Sequence, residues 1–397
     1  MGAVTRRVDG DVDLVERAGV GGFVFERGRS GLAGRGEAAR VRATPEAIAG
    51  ALNAFSVDDE VGLPGCGPVA FVALPFDPDA PCEAIVPAEV WGRADDGTRW
   101  HTTISTELEA IAGAERTALP RERPAAGFRV ESARPAGHYT DLIDRATKAM
   151  ADGRMRKVVL AREVVVTGDA DIDVPAVLTR LRATFPGCFV FHVDGFVGAS
   201  PELLVSRAGD VVRSHPMAGT APRGGDPTTD ARLAASLLSS TKDREEHQIT
   251  IDMVHDTLLP FSSYVDYEAE PSIVPVANLQ HLATLVEGRL SHPPASVLEL
   301  ARALHPTPAV CGEPRESALA FIRAEEGLDR RRYAGAVGWV DAAGNGTFAV
   351  SVRVAEIEGA SARLFAGCGI VPDSDPQIEL EETRVKLQAL LSAIVRP

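Results

Sequence analysis

Residues 367–386 read GCGIVPDSDPQIELEETRVK, and the rest of the chain is organised around how that stretch divides. Asp375 followed by Pro376 marks a helix start. The aspartate can accept from backbone N–H groups left unpaired in the first turn, and proline is preset for the first helical position. From there Glu379, Glu382 and Lys386 recur at i, i+3 and i+7, which puts three charges on one face. Leu380, Leu387, Leu391 and Ile394 form a neighbouring apolar stripe that must face a core. The two carboxylates therefore flank buried surface. Acids in a first turn also suit the helix dipole and need mean nothing more, so this segment alone leaves both readings open.

Working outward, RKVVLAREVVV (156–166) is a β-branched run that reads as a buried strand beginning at Lys157. A lysine leading into such a strand normally reaches outward to water. The alternative is an amine held partly out of water, where it can serve as a base. Before this strand, Tyr139, Leu142, Ile143, Ala146 and Met150 keep helical spacing up to Gly153. After it comes a helix at about 173–184, then CFVFHVDGFVGASPELLVSR (188–207). The period-2 pattern about Asp194-Gly195 predicts a hairpin, with Glu202 at the mouth of the next strand. A carboxyl group there is either on a solvated edge or in a pocket that raises its pKa and lets it donate a proton.

The glycine-rich MAGTAPRGG (217–225) reads as a loop able to approach a ligand closely, and it lacks the Lys-Ser/Thr ending of a phosphate-binding P-loop. Ser240 and Asp243 open a helix over 241–259 in the manner of a capping box. Its apolar stripe is read as Ile249, Met253, Val254 and Leu258, which Glu246 extends by one step. A carboxylate on a core-facing side is costly unless paired or bound to metal. An arginine partner and a metal remain equally open. His247 and His255 fall on other faces and are read as structural. Asn345-Gly346 between two alternating runs predicts a second hairpin, and Arg353 interrupts the strand that follows, where an inward guanidinium wants a carboxylate from protein or ligand.

The chain has 397 residues, 45% of them hydrophobic, enough for a large core. Residues 1–117 read as strands joined by loops, and LPRERPAAG (119–127) as a linker. No apolar run is long enough to span a bilayer and MGAVTRRVDG is not a signal peptide, so the expectation is a cytoplasmic protein. Five cysteines without a CxxC pair fit a reducing compartment and argue against zinc. A net charge of −15 argues against nucleic acid and anionic membranes, though not against a small anionic substrate, whose site a metal and a few basic side chains can make positive.

Taken in order, KVVLAR (157–162), GASPELLV (198–205), MAGTAPRG (217–224), KDREEH (242–247), LHPTPAVCGEPRESA (304–318), YAGAVGW (333–339), SVRVAEI (351–357) and residues 367–386 resemble the chorismate-utilising enzymes. The resemblance covers roughly residues 130–390. It implies an α/β (α+β) fold in one domain spanning 1–397, with a variable portion at 1–126 and a catalytic portion at 127–397. Two large facing antiparallel-rich sheets are expected, with helices outside and the active site between the sheets. It further implies one Mg²⁺, with Glu246 and Glu382 as metal carboxylates and Glu379 and Asp243 close by. Gly219, Thr220, His305, Ala309, Tyr333, Arg353, Gly367 and Lys386 are implied as substrate contacts.

Lys157 stands where water-using members of the family carry lysine and ammonia-using members typically carry glutamine, and Ala218 replaces a lysine of aminodeoxychorismate synthases. The resemblance therefore implies water attack on C2 of chorismate with Lys157 as base and Glu202 as acid, the isochorismate-forming reaction. No glutamine amidotransferase subunit is expected, and a monomer is. Ala309, where pyruvate-eliminating members usually place Thr or Ser, favours this over salicylate formation, while Tyr333 is shared with salicylate synthases. Whether the product goes on to menaquinone or a siderophore depends on other genes.

Overall fold

Two places where the chain crosses from one sheet to another position the centre of the molecule. The computed structural model describes residues 1–105, 125–276 and 279–396; the greater part of the linker read at 119–127 lies outside them. The hairpin predicted at Asp194-Gly195 is present, as strands Phe189–Val193 and Phe196–Ser200, and both turn residues have positive φ, 51° and 76°, as a tight type I′ turn requires. Its second strand belongs to a 13-stranded sheet, and after Pro201 and Glu202 the chain continues as Leu203–Ala208 in a 9-stranded sheet. The return crossing runs from Gly346–Val350 in the smaller sheet through Ser351, Val352 and Arg353 to Val354–Glu358 in the larger. The crossings are tied together: Val350 N–H donates to the Glu202 carbonyl at 3.1 Å and Ala199 N–H to the Arg353 carbonyl at 3.2 Å.

The two sheets pack face to face, as the stacking of Phe23 on Phe71, one from each, shows at 5.6 Å between rings. Alternation within the strands does the sorting. Phe23 and Phe25 join the core between the sheets, whereas Val24 points to the outer core, where helices Leu14–Ala18, Val174–Thr184 and Pro376–Val395 cover the larger sheet. Each fully buried side chain of this size contributes about 1.5–3 kcal/mol. Residues 1–105 supply strands to both sheets: Phe23–Arg27 pairs with Phe189–Val193, and Val69–Leu74 pairs with Ala336–Asp341. The strand pairs described are antiparallel save Gly2–Arg7 with Ser56–Asp59. The expected α/β architecture of two facing antiparallel-rich sheets with helices outside is the one observed.

The strand Lys157–Gly168 starts at the residue expected and pairs with Ser361–Ile370. The helix Pro376–Val395 begins as read, with the Asp375 side chain accepting from Gln377 and Ile378 N–H. Its buried residues include Leu390 and Ala393, while Leu391 is only half-buried.

Two readings change. Residues Met217–Pro222, expected as a loop, form a strand of a separate 3-stranded sheet with Leu279–Ala283 and Ser272–Val276. The pairing is offset beside Gly219, whose φ of 70° suits glycine. On helix Thr241–Leu258 the buried set is His247, Thr250, Ile251, Val254 and Leu258, and Ile249 is exposed. The buried face thus keeps Val254 and Leu258 of the expected stripe but is rotated away from Ile249 toward His247, Thr250 and Ile251. His247 is on the core side, bonded to Thr284 Oγ1 at 2.8 Å, and Glu246 stands at the border of that side.

Candidate active site

A cavity of about 260 Å³ lies between the sheet crossings, the strand Lys157–Gly168, and the helices Thr241–Leu258 and Pro376–Val395. It brings together thirteen of the fourteen residues singled out from sequence: Lys157, Glu202, Gly219, Thr220, Asp243, Glu246, Ala309, Tyr333, Arg353, Gly367, Glu379, Glu382 and Lys386. His305 is not among them. It is buried away from the cavity, its Nε2 within hydrogen-bond reach of the Phe76 carbonyl at 3.0 Å, and burial lowers its pKa to about 4, so it is a neutral structural side chain.

Strand alternation aims Lys157 and Val159 inward, and Val159 pairs with Gly369, which like Gly367 also lines the cavity. The absence of a side chain at Gly369 makes room for the lysine: a Cβ there would stand 3.0 Å from Lys157 Cε. Lys157 Nζ donates to Glu246 Oε1 at 2.6 Å. Glu202, which lines the same cavity, is 7% exposed, its carboxyl group accepting from Met217 N–H at 3.4 Å. Burial pushes its carboxyl up to about 7, against the opposing pull of Met217 N–H, Arg353 and Lys157. Of the two readings left open for Glu202, the low-dielectric pocket is the one found.

Arg353 sits at the return crossing with φ 54°, a strained value for a side chain of this kind. Its Nη2 donates to His281 Nε2 at 3.1 Å. Because a guanidinium only donates, that nitrogen must accept, which places the imidazole proton on Nδ1, facing Thr220 Oγ1 at 3.1 Å and the Gly219 carbonyl at 3.3 Å. Burial and the charges of Arg353 and Lys386 drive the His281 pKa down to about 3, so the ring stays neutral. His281 was not singled out from sequence. Its place in the site depends on the pairing of Thr220 with His281 across two strands, which spacing within one strand cannot reveal.

Lys386 Nζ donates to the Gly367 carbonyl at 2.9 Å and pairs with Glu382 at 2.7 Å. Burial opposes its charge, but the paired Glu382 carboxylate outweighs that and holds the ammonium above its usual range. Tyr333 stacks on Phe365 at 5.3 Å and its hydroxyl is pushed up to about 12 by burial, so it is a neutral donor. Arg353 and Lys386 are thus two fixed cations in one cavity, matched to an anionic ligand.

Oxygens of Glu379 and Glu382 and the sulfur of Cys368 lie within 4.8 Å of one another. Burial raises the Glu379 carboxyl, and the neighbouring charge of Glu382 raises it further, a strain that a cation would relieve. The Cys368 thiol, held up at about 12 chiefly by burial, stays protonated, which leaves carboxylate oxygens as donors. Hard oxygen donors suit a hard cation such as Mg²⁺. Glu246 and Asp243 line the same cavity on the facing helix. Asp243 N–H donates to the Ser240 side chain at 3.2 Å, the capping interaction expected.

Facing sheets whose crossings hold an acid and an arginine, with a lysine on the strand between two carboxylate-bearing helices, define an enzyme of one class, and comparison with known proteins says which. Residues 83–395 match the family model described as chorismate binding enzyme, and the chain belongs to that family. It is 37% identical over 341 residues to isochorismate synthase DhbC of Bacillus subtilis, covering 82% of this chain and 81% of that protein. Isochorismate synthase EntC of Escherichia coli is 36% identical over 330 residues, with 82% and 81% covered. The structure of MenF, the menaquinone-specific isochorismate synthase from Escherichia coli, superposes with a TM-score of 0.85 at 25% identity, over 99% of this chain and 94% of that one. No described helix is long and apolar enough to cross a membrane.

Proposed function

We propose that this chain is an isochorismate synthase that converts chorismate to isochorismate. The observation that supports the reading is that Lys157 and Glu202 line one cavity, with burial pushing the Glu202 carboxyl up to about 7. Water adds to C2 of the ring while the C4 hydroxyl departs and the double bonds shift between them. Lys157 takes the proton from the attacking water, and Glu202 gives its proton to the leaving hydroxyl, so that water is lost as water is gained. Arg353 and Lys386 would hold the substrate's carboxylates, with Tyr333 and the Gly219–Thr220 backbone setting the ring's orientation.

Glu246 and Glu382, with Glu379 and Asp243 lining the same cavity, are the residues that would hold Mg²⁺, which when bound would supply positive charge toward a substrate carboxylate. Because water is the nucleophile, the reading needs no glutamine amidotransferase subunit. Incubation with chorismate and Mg²⁺, followed by chromatographic separation, tests it. Isochorismate alone is expected. Salicylate with stoichiometric pyruvate would replace the assignment with salicylate synthase, and unchanged chorismate would leave a binding protein without turnover.

A further inference from the structure

A second cavity, at about 560 Å³ larger than the catalytic one, opens where helix Val174–Thr184, the last turns of helix Pro376–Val395 and the turn after strand Met217–Pro222 meet. Arg180, Arg223 and Arg396 line it together with the polar side chains of Thr184, Gln388 and Ser392, and among the described residues no carboxylate side chain is part of its lining. In a chain of net charge −15, Arg180 and Arg396, with the Asp230-paired Arg223 beside them, make this concavity locally basic. Arg180 is oriented by the bond from its Nη1 to the Ala393 carbonyl at 3.0 Å, and Arg223 Nε is paired with Asp230 at 3.0 Å. The catalytic reading uses none of these residues.

We propose that this cavity binds a small, multiply charged oxyanion, a polycarboxylate or a phosphate-bearing metabolite, and that its occupancy is transmitted to the active site. Planar guanidinium forks match carboxylate and phosphate oxygens two at a time. Two continuous elements connect the sites. Helix Pro376–Val395 presents Glu379, Glu382 and Lys386 to the catalytic cavity and Gln388 and Ser392 to this one, and strand Met217–Pro222 carries Gly219 and Thr220 to the catalytic cavity and ends beside Arg223. A ligand that draws the arginines together shifts both elements. The transmission rests on the proposed isochorismate synthase activity, whereas the binding does not.

The test is calorimetric titration of the full chain with citrate and, separately, pyrophosphate, in metal-free buffer because both probes chelate Mg²⁺. At least one probe should bind, and the doubly substituted Arg180→Gln/Arg396→Gln chain should weaken it about tenfold or more. Ser392→Glu, which adds a repelling charge without removing the Arg180 bond, should do the same, while Arg353→Gln in the catalytic cavity should retain binding. Citrate alone binding identifies a polycarboxylate ligand, and pyrophosphate alone a phosphate-bearing one. At fixed free Mg²⁺, saturating probe should then shift the KM for chorismate by about fivefold in the unsubstituted chain and not in Ser392→Glu. No heat from either probe, or binding undiminished in both substituted chains, overturns the site. Binding with unchanged chorismate kinetics overturns the transmission. A chain that binds the probe but turns over no chorismate counts against the activity alone.

Discussion

Lys157 Nζ and Glu246 Oε1 stand 2.6 Å apart, joining a strand of the larger sheet to helix Thr241–Leu258 across the mouth of the catalytic cavity. The lysine reaches that position because residue 369 on the paired strand has no side chain. Lys157→Ala should lower kcat by about 10²- to 10⁴-fold, the usual contribution of a positioned acid or base. Gly369→Ala, which leaves the amine in place but crowds its stem, should give a smaller loss with an unchanged fold by circular dichroism. Near-normal turnover in Lys157→Ala would remove it from the role of base.

Glu202 ties activity and stability to pH. An isolated glutamate ionises near 4.5 and the buried one near 7, so between those values the folded chain holds a proton that the unfolded chain has released. Its contribution to stability therefore falls as pH rises through that window and is fully lost above about 7. Glu202→Gln keeps the shape and removes the ionisation. Relative to the unsubstituted chain it should melt at a similar temperature at pH 4.5 and at a higher one at pH 8, while losing turnover by about 10²- to 10⁴-fold. A melting difference that does not grow with pH would show that the carboxyl is not held neutral.

Behind the cavity, Arg330 and Glu326 form a buried pair that neither alternation nor spacing exposes. Glu326 Oε1 accepts from Ala161 N–H at 2.7 Å, and Arg330 donates to the Val159 and Val310 carbonyls at 2.7 and 3.2 Å, so the pair pins the strand of Lys157 to the segment carrying Ala309. Breaking it from one side strands a buried charge. Glu326→Ala should cost about 3–5 kcal/mol of stability, read as a lowered midpoint in urea. A loss below about 1 kcal/mol, the worth of an exposed pair, would mean that water reaches the site.

The parts of the fold carried by local chemistry were legible in the sequence. The caps at Asp375 and Ser240, the Asp194-Gly195 turn and the strand start at Lys157 each follow from neighbouring residues. What was not legible depends on pairing between distant segments. The strand at Met217–Pro222 is stabilised by Leu279–Ala283 despite its glycine, His281 enters the site through that same pairing, and the rotation of helix Thr241–Leu258 is set by what packs on it. His305 lies in the family-like stretch 304–318, and nothing local to it distinguishes a buried histidine bonded to Phe76 from a substrate contact.

Mg²⁺ should bind through the carboxylates of two helices. Glu379→Gln and Glu382→Gln should each weaken Mg²⁺ binding by at least about tenfold, since even partners one step removed from a metal contribute that much. Calorimetric titration with Mg²⁺ alone reads this without turnover, and the Mg²⁺ dependence of chorismate consumption should shift in parallel. Unchanged Mg²⁺ affinity in both variants would move the metal away from this pair.

Ala309 should decide how far the reaction goes. It lines the cavity beside Val310, and Val352 and Arg353 stand on the wall of the same space. Elimination of pyruvate from isochorismate requires the C2 hydrogen and the enolpyruvyl ether to be held in reacting geometry, and a displacement of about 1 Å in such a site can cost about 10²-fold in rate. A methyl group at residue 309 has no hydroxyl with which to hold the substrate in that arrangement. The unsubstituted chain should therefore release isochorismate with little pyruvate. Ala309→Thr, which adds a hydroxyl and a methyl to this wall, should slow isochorismate formation or raise pyruvate release. A lactate dehydrogenase-coupled assay reads pyruvate directly against chorismate consumed. Stoichiometric pyruvate from the unsubstituted chain would overturn the isochorismate assignment, and an unchanged rate and product ratio in Ala309→Thr would show that this wall does not set the end point.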